Sequence, residues 1–439
     1  MKLIPLSSLL IEGRPDNHPV ALRRGELILF SQFRADVEDA AARFKDYRRV
    51  ALVCHDSYNF IVGFYGLLHA GATIVLPPNG QSGTLQALKD EFNCLVDDAV
   101  VEDGQGKTAI LTPIDPMRPC LVFLTSGSTG TPKKIIKNLA MPEREIMTLD
   151  ALWGQTSGAG PVFATVSHQH IYGLTFKLLW PLMAGRIFTT EMHALWESLF
   201  STLTPDAVIV SSPAHLDRLG GVVPISLQQS PKRIFSAGAP LSLRASQQTE
   251  QVFGCRPTEI FGSTETGAFA TRSQINGDEP WRLLPGMEMR CDANSRLVIR
   301  SPFIGEDWLE TADLIEPVAD GFISLGRADR IAKIEGKRVA LAQVEQSLEQ
   351  LSLVRTAAVI VLQGNPDCLV AAIVPSEEGQ ARLSELGNFR FGRLLRSHLA
   401  TTQEAAGIPR LWRFMNELPM QGMGKRRDAD IRTLFRGGA

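Results

Sequence analysis

The sequence predicts an α/β protein with two domains: a large N-terminal domain of parallel-rich sheets and a small α+β C-terminal domain. Between about residues 30 and 265, short apolar runs typical of buried strands alternate with helical patterns. After about residue 285 the strand patterns shorten and are joined by turns, which indicates a small β-rich segment. We therefore predict domains over 1–328 and 329–439.

In the larger domain, each predicted strand is a continuous apolar run, as expected for parallel sheets covered on both faces. The runs are 50–54, 72–76, 120–124, 161–166, 207–210 and 233–236. Helical spacing predicts helices over 60–68 and 241–253, and Gly71 ends the first. Because ligands bind at the carboxyl ends of such strands, Thr125 and Ser236 are predicted to lie near a ligand.

The later part of the chain predicts short strands at 296–300, 313–317 and 322–325. Beyond them a hairpin over 331–340, a helix over 341–351 and strands near 357–362 and 369–374 form a separate α+β pattern. The domain boundary is therefore placed near 326–329.

Composition excludes several function classes. The chain has 439 residues, with 45 Lys and Arg against 47 Asp and Glu, so nothing favours nucleic acid or an anionic membrane as a partner. No window reaches the length of a membrane-spanning helix, and the start of the chain does not resemble a signal peptide. The six cysteines are scattered without metal spacing, which predicts a reducing, cytoplasmic setting.

The stretch 124–133, L-T-S-G-S-T-G-T-P-K, follows a predicted strand and carries most of the chemical information. Its glycines let backbone N–H groups converge on an anion, its hydroxyls donate hydrogen bonds, and Lys133 adds positive charge. These properties suit a polyphosphate, although the spacing differs from G-x-x-x-x-G-K-S/T. Taken alone, the stretch is equally compatible with a flexible surface loop.

Four later stretches resolve this ambiguity: F-G-S-T-E-T-G at 261–267, E-T-A-D-L at 310–314, a motif over 325–339, and P-M-Q-G-M-G-K-R-R at 419–427. In this order they resemble the signature motifs of the acyl-adenylate-forming superfamily, over about residues 50 to 430. That superfamily includes acyl- and aryl-CoA synthetases and the adenylation domains of nonribosomal peptide synthetases. The resemblance implies the family's α/β fold with a mobile C-terminal lid.

It also implies a two-step reaction in which a carboxylate attacks the α-phosphate of ATP, pyrophosphate leaves, and a thiol then displaces AMP. By resemblance, the loop from Thr125 to Lys133 holds the β- and γ-phosphates, Glu265 holds Mg²⁺, and Thr264 contacts the α-phosphate. Lys425 resembles the mobile catalytic lysine that bridges the carboxylate and the α-phosphate.

The same resemblance assigns the adenosine side and the thiol side. Phe261 is expected to stack on adenine, and Asp313 to accept both ribose hydroxyls with help from Arg327. Asp329 matches the hinge, and Gly336 lies in the hairpin presented to the pantetheine. The other implied ATP- and AMP-binding residues are Ser126, Gly127, Ser128, Thr129, Gly130, Thr131, Gly238, Ala239 and Gly262.

Each of these residues has an ordinary structural interpretation when taken alone. Asp313 is typical of a turn, Arg327 of a solvated charge cluster, Phe261 of a core strand and Lys425 of a surface basic patch. The ordering of the motifs overturns these interpretations. Three departures from the family pattern are Phe261 in place of tyrosine, Ala312 in place of glycine, and Met423-Gly424 before Lys425.

His170 lies in S-H-Q-H-I-Y-G-L at 167–174, which resembles the H-x-x-G-L stretch of acyl-CoA synthetases. The resemblance favours a role for His170 at the junction of the acyl pocket and the pantetheine tunnel. A buried structural histidine is the alternative. Two histidines two positions apart could also bind a metal, but the sequence offers no third ligand.

The substrate predicted from the sequence is a carboxylic acid without an amine: fatty, hydroxy or aryl. An amino acid would need a buried carboxylate to pair with its ammonium group, and the stretch 169–176 contains no acid. The thiol is predicted to be CoA, with the pantetheine of an acyl carrier protein as the alternative. A non-catalytic nucleotide-binding relative is a third hypothesis, which the presence of Lys425 disfavours.

Overall fold

The computed structural model of the chain describes residues 2–125, 133–305, 307–334, 337–362, 367–401, 403, 405–419 and 428–435. Its contacts divide into two compact units. The first comprises 1–279, 283–287 and 300–307, and the second comprises 280–282, 288–299 and 308–439. The fold is mixed α/β, as predicted, whereas the domain limits at 328 and 329 stay a prediction.

Thirteen strands and eleven helices build the first unit. The strands are β1 Pro19–Arg23, β2 Glu26–Leu29, β3 Arg49–Leu52, β4 Thr73–Leu76, β5 Cys94–Val96, β6 Leu121–Thr125, β7 Lys133–Lys137, β8 Val162–Ala164, β9 Phe188–Thr189, β10 Val208–Ser211, β11 Arg233–Ala237, β12 Pro257–Ser263 and β13 Gly267–Arg272. The helices are α1 Leu9–Glu12, α2 Phe30–Arg43, α3 Ser57–His69, α4 Ser82–Ala87, α5 Asp98–Glu102, α6 Ala140–Trp153, α7 Ile171–Gly173, α8 Trp180–Ala184, α9 Trp196–Phe200, α10 Pro213–Leu216 and α11 Leu243–Phe253. These counts refer to the described residues only.

One sheet of this unit has five strands in the order β5-β3-β4-β6-β7. The first four are parallel, and β7 runs antiparallel to β6. Every residue of α3 from Ser57 to Leu68 is buried, which explains the apolar pattern that predicted this helix. The side chain of Asp56 caps α3 by accepting hydrogen bonds from the Tyr58 and Asn59 amides.

Eight other strands of this unit pair in the order β13-β12-β11-β10-β8-β9-β1-β2. The strands from β12 to β1 are parallel, and the flanking β13 and β2 are antiparallel to their neighbours. Phe163, Ile209 and Ile234 on one face pack with α9 and α11 residues in a single hydrophobic cluster. The predicted parallel-rich sheets are thus confirmed, and strand ends in this unit carry Thr125, Lys133, Phe261 and Gly262.

The elements that follow β13 lie wholly or mainly in the second unit. They are β14 Trp281–Leu283, β15 Glu288–Cys291, β16 Arg296–Arg300, β17 Leu309–Val318, β18 Gly321–Arg327, β19 Ile331–Ile334, β20 Lys337–Ala340, β21 Val354–Leu362, β22 Cys368–Pro375, β23 Leu411–Phe414, α12 Leu341–Glu349, α13 Glu377–Leu399 and α14 Asp428–Thr433. Five of the strands pair in the order β15-β16-β17-β18-β14. The β-rich segment predicted after residue 285 is confirmed by these strands.

A three-stranded sheet, β21-β22-β23, forms the core of the C-terminal α+β segment. Its inward residues, including Val359 and Ala371, pack in one cluster with residues of α12 and α13. Helix α13 has 23 residues and a kink at Gly387. Among the described helices, none is both long and apolar enough to cross a bilayer.

Candidate functional site

The predicted phosphate loop joins β6 to β7. Strand β6 ends at Thr125, as predicted, and this residue pairs in register with Lys133, the first residue of β7. The two ends of the loop therefore lie side by side. Ser126, Gly127, Ser128, Thr129, Gly130 and Thr131 lie outside the described residues.

Glu265 lies in the tight turn between β12 and β13. The Nζ of Lys133 donates a hydrogen bond to Glu265 Oε1 at 2.7 Å, so the end of the loop meets this carboxylate directly. Partial burial of Glu265 is the largest single influence and disfavours its charged form, but the hydrogen bond and charge of Lys133, with hydrogen bonds from the Glu265 amide and Ser263, together outweigh burial and lower the pKa. A half-buried, ionised carboxylate beside a lysine is suited to a phosphate-bound divalent cation.

The Glu265 turn is closed by its own side chains. The Ser263 amide donates to Thr266 Oγ1 at 2.9 Å, and the Thr266 amide donates to Ser263 Oγ at 3.2 Å. Thr264 lies between them, in the turn and only partly buried. Phe261 and Gly262 belong to the end of β12, where Phe261 is also partly buried and Gly262 is exposed. The structure thus brings Phe261, Gly262, Thr264 and Glu265 to one strand end.

Two buried charged residues near this turn were not predicted. Lys137, the last residue of β7, donates from Nζ to the Glu265 carbonyl oxygen at 3.2 Å. Glu145, on α6, accepts a hydrogen bond from the Ala268 amide at 2.9 Å. Burial lowers the pKa of Lys137 and raises the pKa of Glu145, because it disfavours both charged forms.

Gly238 and Ala239 follow the end of β11 and are exposed, and the backbone of Gly238 has a φ of 98°. A buried network holds the chain just after them. Glu259 on β12 accepts two hydrogen bonds from Arg272, at 2.9 and 3.1 Å, and a further one from the Leu241 amide at 3.2 Å. Sequence inspection missed Glu259 and Arg272, since such charges normally mark a solvated face.

The two histidines of the 167–174 stretch have different surroundings. His168 is buried: its Nδ1 accepts from Ser57 Oγ at 3.0 Å, and its Nε2 donates to the Cys54 carbonyl at 2.9 Å. Burial lowers the pKa of His168 to about 3, so the ring is neutral. His170 is only partly buried and directly precedes α7.

Gly173 of the H-x-x-G stretch has a steric role. A Cβ at this position would lie 2.1 Å from the Ser167 carbonyl oxygen, so only glycine allows the start of α7 to approach the loop that follows β8. A π-helical segment, Leu174–Leu179, follows at once. Within the described residues, no group of three or more His, Cys, Asp or Glu side chains is arranged to hold a metal.

Asp313 and Arg327 belong to the second compact unit and pair in register across β17 and β18. Arg327 Nη1 lies 3.5 Å from Asp313 Oδ1. Thr311 Oγ1 accepts from the Asp313 amide at 3.1 Å and donates to the Leu297 carbonyl at 2.7 Å. Ala312 lies within extended β17, so the substitution of the family's glycine causes no strain in the strand.

The remaining predicted residues belong to the same unit. Asp329 lies in a 3₁₀ turn, Ala328–Arg330, directly after β18. The hairpin predicted over 331–340 is present as β19 and β20, which pair antiparallel. Gly336 and Lys425 lie outside the described residues.

A family model described as AMP-binding enzyme matches residues 78–298, half of the chain. A 4-coumarate–CoA ligase from Rhodobacter capsulatus is 28% identical over 319 residues, covering 70% of this chain and 75% of that relative.

Solved structures show the same fold. The anthranilate CoA ligase AuaEII in complex with anthranoyl-AMP superposes with a TM-score of 0.78 at 18% identity, covering 99% of this chain and 98% of its own. ATP-bound MatB from Rhodopseudomonas palustris superposes with a TM-score of 0.79 at 16% identity, covering 98% of this chain and 99% of MatB. These structures show the shared fold, and the family match establishes that the chain belongs to the AMP-binding enzyme family, as an adenylate-forming enzyme of the acid–thiol ligase type.

Proposed function

We propose that this enzyme activates a fatty, hydroxy or aryl acid as its acyl-adenylate, releases pyrophosphate, and transfers the acyl group to the thiol of CoA. The observation that carries the proposal is the contact between Lys133 and Glu265, which joins the predicted phosphate loop to the predicted metal-side carboxylate. Both groups are needed where charge is redistributed during phosphoryl transfer.

In this proposal Lys133 and the loop before it neutralise the β- and γ-phosphates, and Thr264 donates to the α-phosphate. Glu265 has the hard, ionised oxygen donors that Mg²⁺ prefers. When bound, the ion would neutralise phosphate charge and favour departure of pyrophosphate.

The adenosine of ATP is assigned to residues at the strand ends. Phe261 offers its ring to adenine, with Gly238, Ala239 and Gly262 beside the base. Asp313 accepts hydrogen bonds from the two ribose hydroxyls, and Arg327, whose Nη1 lies 3.5 Å from Asp313 Oδ1, orients that carboxylate. We assign to Lys425 the positive charge that stabilises the attacking carboxylate and the α-phosphate together.

The structure describes no buried acid that lacks a partner within the protein, which supports a substrate without an amine. Among the described residues, the buried acids are Asp39, Glu145, Glu259 and Glu345. Each has partners in the protein: Arg43 for Asp39, the Ala268 amide for Glu145, Arg272 for Glu259 and Arg330 for Glu345. An ammonium group would find no such carboxylate in this part of the chain, and burying it unpaired is costly.

The thiol-transfer step is assigned to a rotation of 329–439 about Asp329, which removes Lys425 and presents the Gly336 hairpin to the pantetheine. His170 then lines the junction between the acyl pocket and the thiol. We also place the enzyme in the cytoplasm, since all six cysteines are free thiols.

The test is a pyrophosphate-release screen of aliphatic, hydroxy, aryl and amino acids. Each acid is run without a thiol, with CoA, and with a pantetheine-bearing acyl carrier protein. Release that depends on a fatty, hydroxy or aryl acid, and an acyl-CoA product identified by mass spectrometry, would support the proposal. Acylation of the carrier protein alone would replace CoA as the acceptor, and activity limited to amino acids would refute the substrate class.

A further inference from the structure

The turn that carries Glu265 rests on two buried charged side chains. Lys137 is 4% exposed and Glu145 is 5% exposed. Lys137 Nζ donates to the carbonyl of Glu265, and Glu145 Oε1 accepts from the amide of Ala268. These two bonds hold the backbone on either side of Gly267, the point at which the turn enters β13.

Gly267 fits closely against Glu145. Its φ is +66°, a left-handed conformation that favours glycine, and a Cβ at this position would lie 2.8 Å from Glu145 Oε2. One carboxylate oxygen therefore occupies the space beside Gly267 while the other binds the next amide. The Glu145 carboxylate thus matches the backbone path of this turn in both shape and hydrogen bonding.

Burying these two charges is expensive, and stability alone does not call for it. A well-packed apolar pair of similar size commonly gives a fold equal or greater stability than a buried pair of opposite charges. What the charged pair provides is two directional bonds to the backbone of one turn.

We propose that Lys137 and Glu145 are positioning residues for this reaction: acting through the backbone, they fix the direction of the Glu265 carboxylate. This inference rests on the proposed function of Glu265. Because geometric precision in a phosphate site controls its charge stabilisation, loosening the turn should impair metal-dependent steps more than the binding of AMP.

The test compares Lys137→Met and Glu145→Leu, which remove one bond each, with Lys134→Met as a matched control. Lys134 lies on the same strand, but it is half exposed and pairs with Glu91. For each variant, calorimetry gives the Kd of ATP over a Mg²⁺ series and the Kd of AMP in EDTA, and ATP–pyrophosphate exchange gives the Mg²⁺ requirement. A thermal melt reports folding.

We expect Lys137→Met and Glu145→Leu to raise the half-saturating Mg²⁺ concentration about tenfold. The Kd of AMP in EDTA should change less than about twofold, and the control should match the wild type. In the double variant, the half-saturating Mg²⁺ concentration should rise by less than the product of the two single-variant increases, since both residues act on one turn. The proposal would be overturned if the variants bound ATP and AMP more weakly by the same factor, or if the folded variants had an unchanged Mg²⁺ requirement.

If the single variants do not fold, Lys137→Arg and Glu145→Gln replace them, because both conserve the donor or acceptor. They should stay within about threefold of the wild type in Mg²⁺ requirement, whereas a larger loss would contradict positioning through these bonds. A wild type that binds ATP with Mg²⁺ but shows no acid-dependent exchange would refute the proposed function, and the calorimetric series would still decide the positioning roles. A wild type whose ATP affinity ignores Mg²⁺ would refute both.

Discussion

Lys133 and Glu265 are 132 positions apart in the sequence, yet their side chains meet with Nζ and Oε1 2.7 Å apart. Strand β7 begins with one, and the turn from β12 to β13 carries the other. The two charges thus neutralise each other. A bound phosphate would compete for Lys133, and a bound cation would compete for Glu265.

The first prediction concerns Glu265→Gln, which keeps the size of the side chain and removes its charge. We expect the rate of acid-dependent ATP–pyrophosphate exchange to fall about 10²- to 10³-fold, the usual loss for a group that stabilises transition-state charge. The Kd of AMP in EDTA should change little. Exchange at the wild-type rate with an unchanged Mg²⁺ requirement would show that Glu265 has no metal-side role.

The second prediction concerns the pH dependence of stability at His168. Its folded-state pKa of about 3 lies below the ordinary 6.5 of an unfolded chain. The stabilising contribution of the neutral ring is therefore complete above pH 6.5 and is lost as the pH falls toward 3, because the unfolded state gains a proton first. Between pH 7.5 and 5.5 this loss is about 1 kcal/mol.

His168→Gln tests this assignment by thermal melts across that pH range. The variant should be less stable at pH 7.5, since bonds to Ser57 and Cys54 are weakened, but it should lose less stability on acidification than the wild type. Asp16→Asn, an exposed substitution, serves as the control. If the wild type and His168→Gln lost the same stability between pH 7.5 and 5.5, the assignment of a neutral buried ring would be contradicted.

The third prediction concerns the pairing of Asp313 with Arg327. Asp313→Asn should raise the KM for ATP about tenfold or more, because hydrogen bonds from ribose hydroxyls to a charged carboxylate are stronger than those to an amide. Glu316→Gln is the matched control, since Glu316 is an exposed acid on the same strand. Equal KM values for the two variants would show that Asp313 does not bind the ribose. With 2′-deoxy-ATP as substrate, the difference in KM between the wild type and Asp313→Asn should be smaller than with ATP.

In the first unit, the strands that the sequence predicted as continuous apolar runs are ones whose residues are buried on both faces. Continuous apolar runs became β3, β4, β6, β8, β10 and β11 within a residue or two of the expected bounds. Strands β2 and β9 were not predicted. The first has mostly exposed residues, and the second has only two residues, so neither leaves a periodic pattern.

Residues of the site also divide into those that the sequence predicted and those that it missed. The order of the motifs predicted Glu265 and Asp313, because their residue types and spacing follow a family pattern. Lys137 and Glu259 were missed, since a lysine or glutamate in a sequence usually marks a solvated position. Their burial depends on contacts with Glu265 and Arg272, and hydrogen-bond partners far apart in the chain cannot be read from local periodicity.

The last prediction concerns Lys425, whose assignment rests on the family pattern. Lys425→Ala should abolish carboxylate-dependent ATP–pyrophosphate exchange, because no other group is assigned to balance the charge of the attacking carboxylate and the α-phosphate together. Calorimetry should show ATP binding within a few-fold of the wild type, since the binding residues are unchanged. The matched control is Arg426→Ala, which removes a neighbouring positive charge and should retain exchange.

A chemically prepared acyl-adenylate, added with CoA, tests the second half-reaction by itself. Lys425→Ala should still form acyl-CoA from this adenylate, because thiol transfer follows the departure of this lysine from the site. If exchange survived in Lys425→Ala, the assigned adenylation mechanism would be wrong.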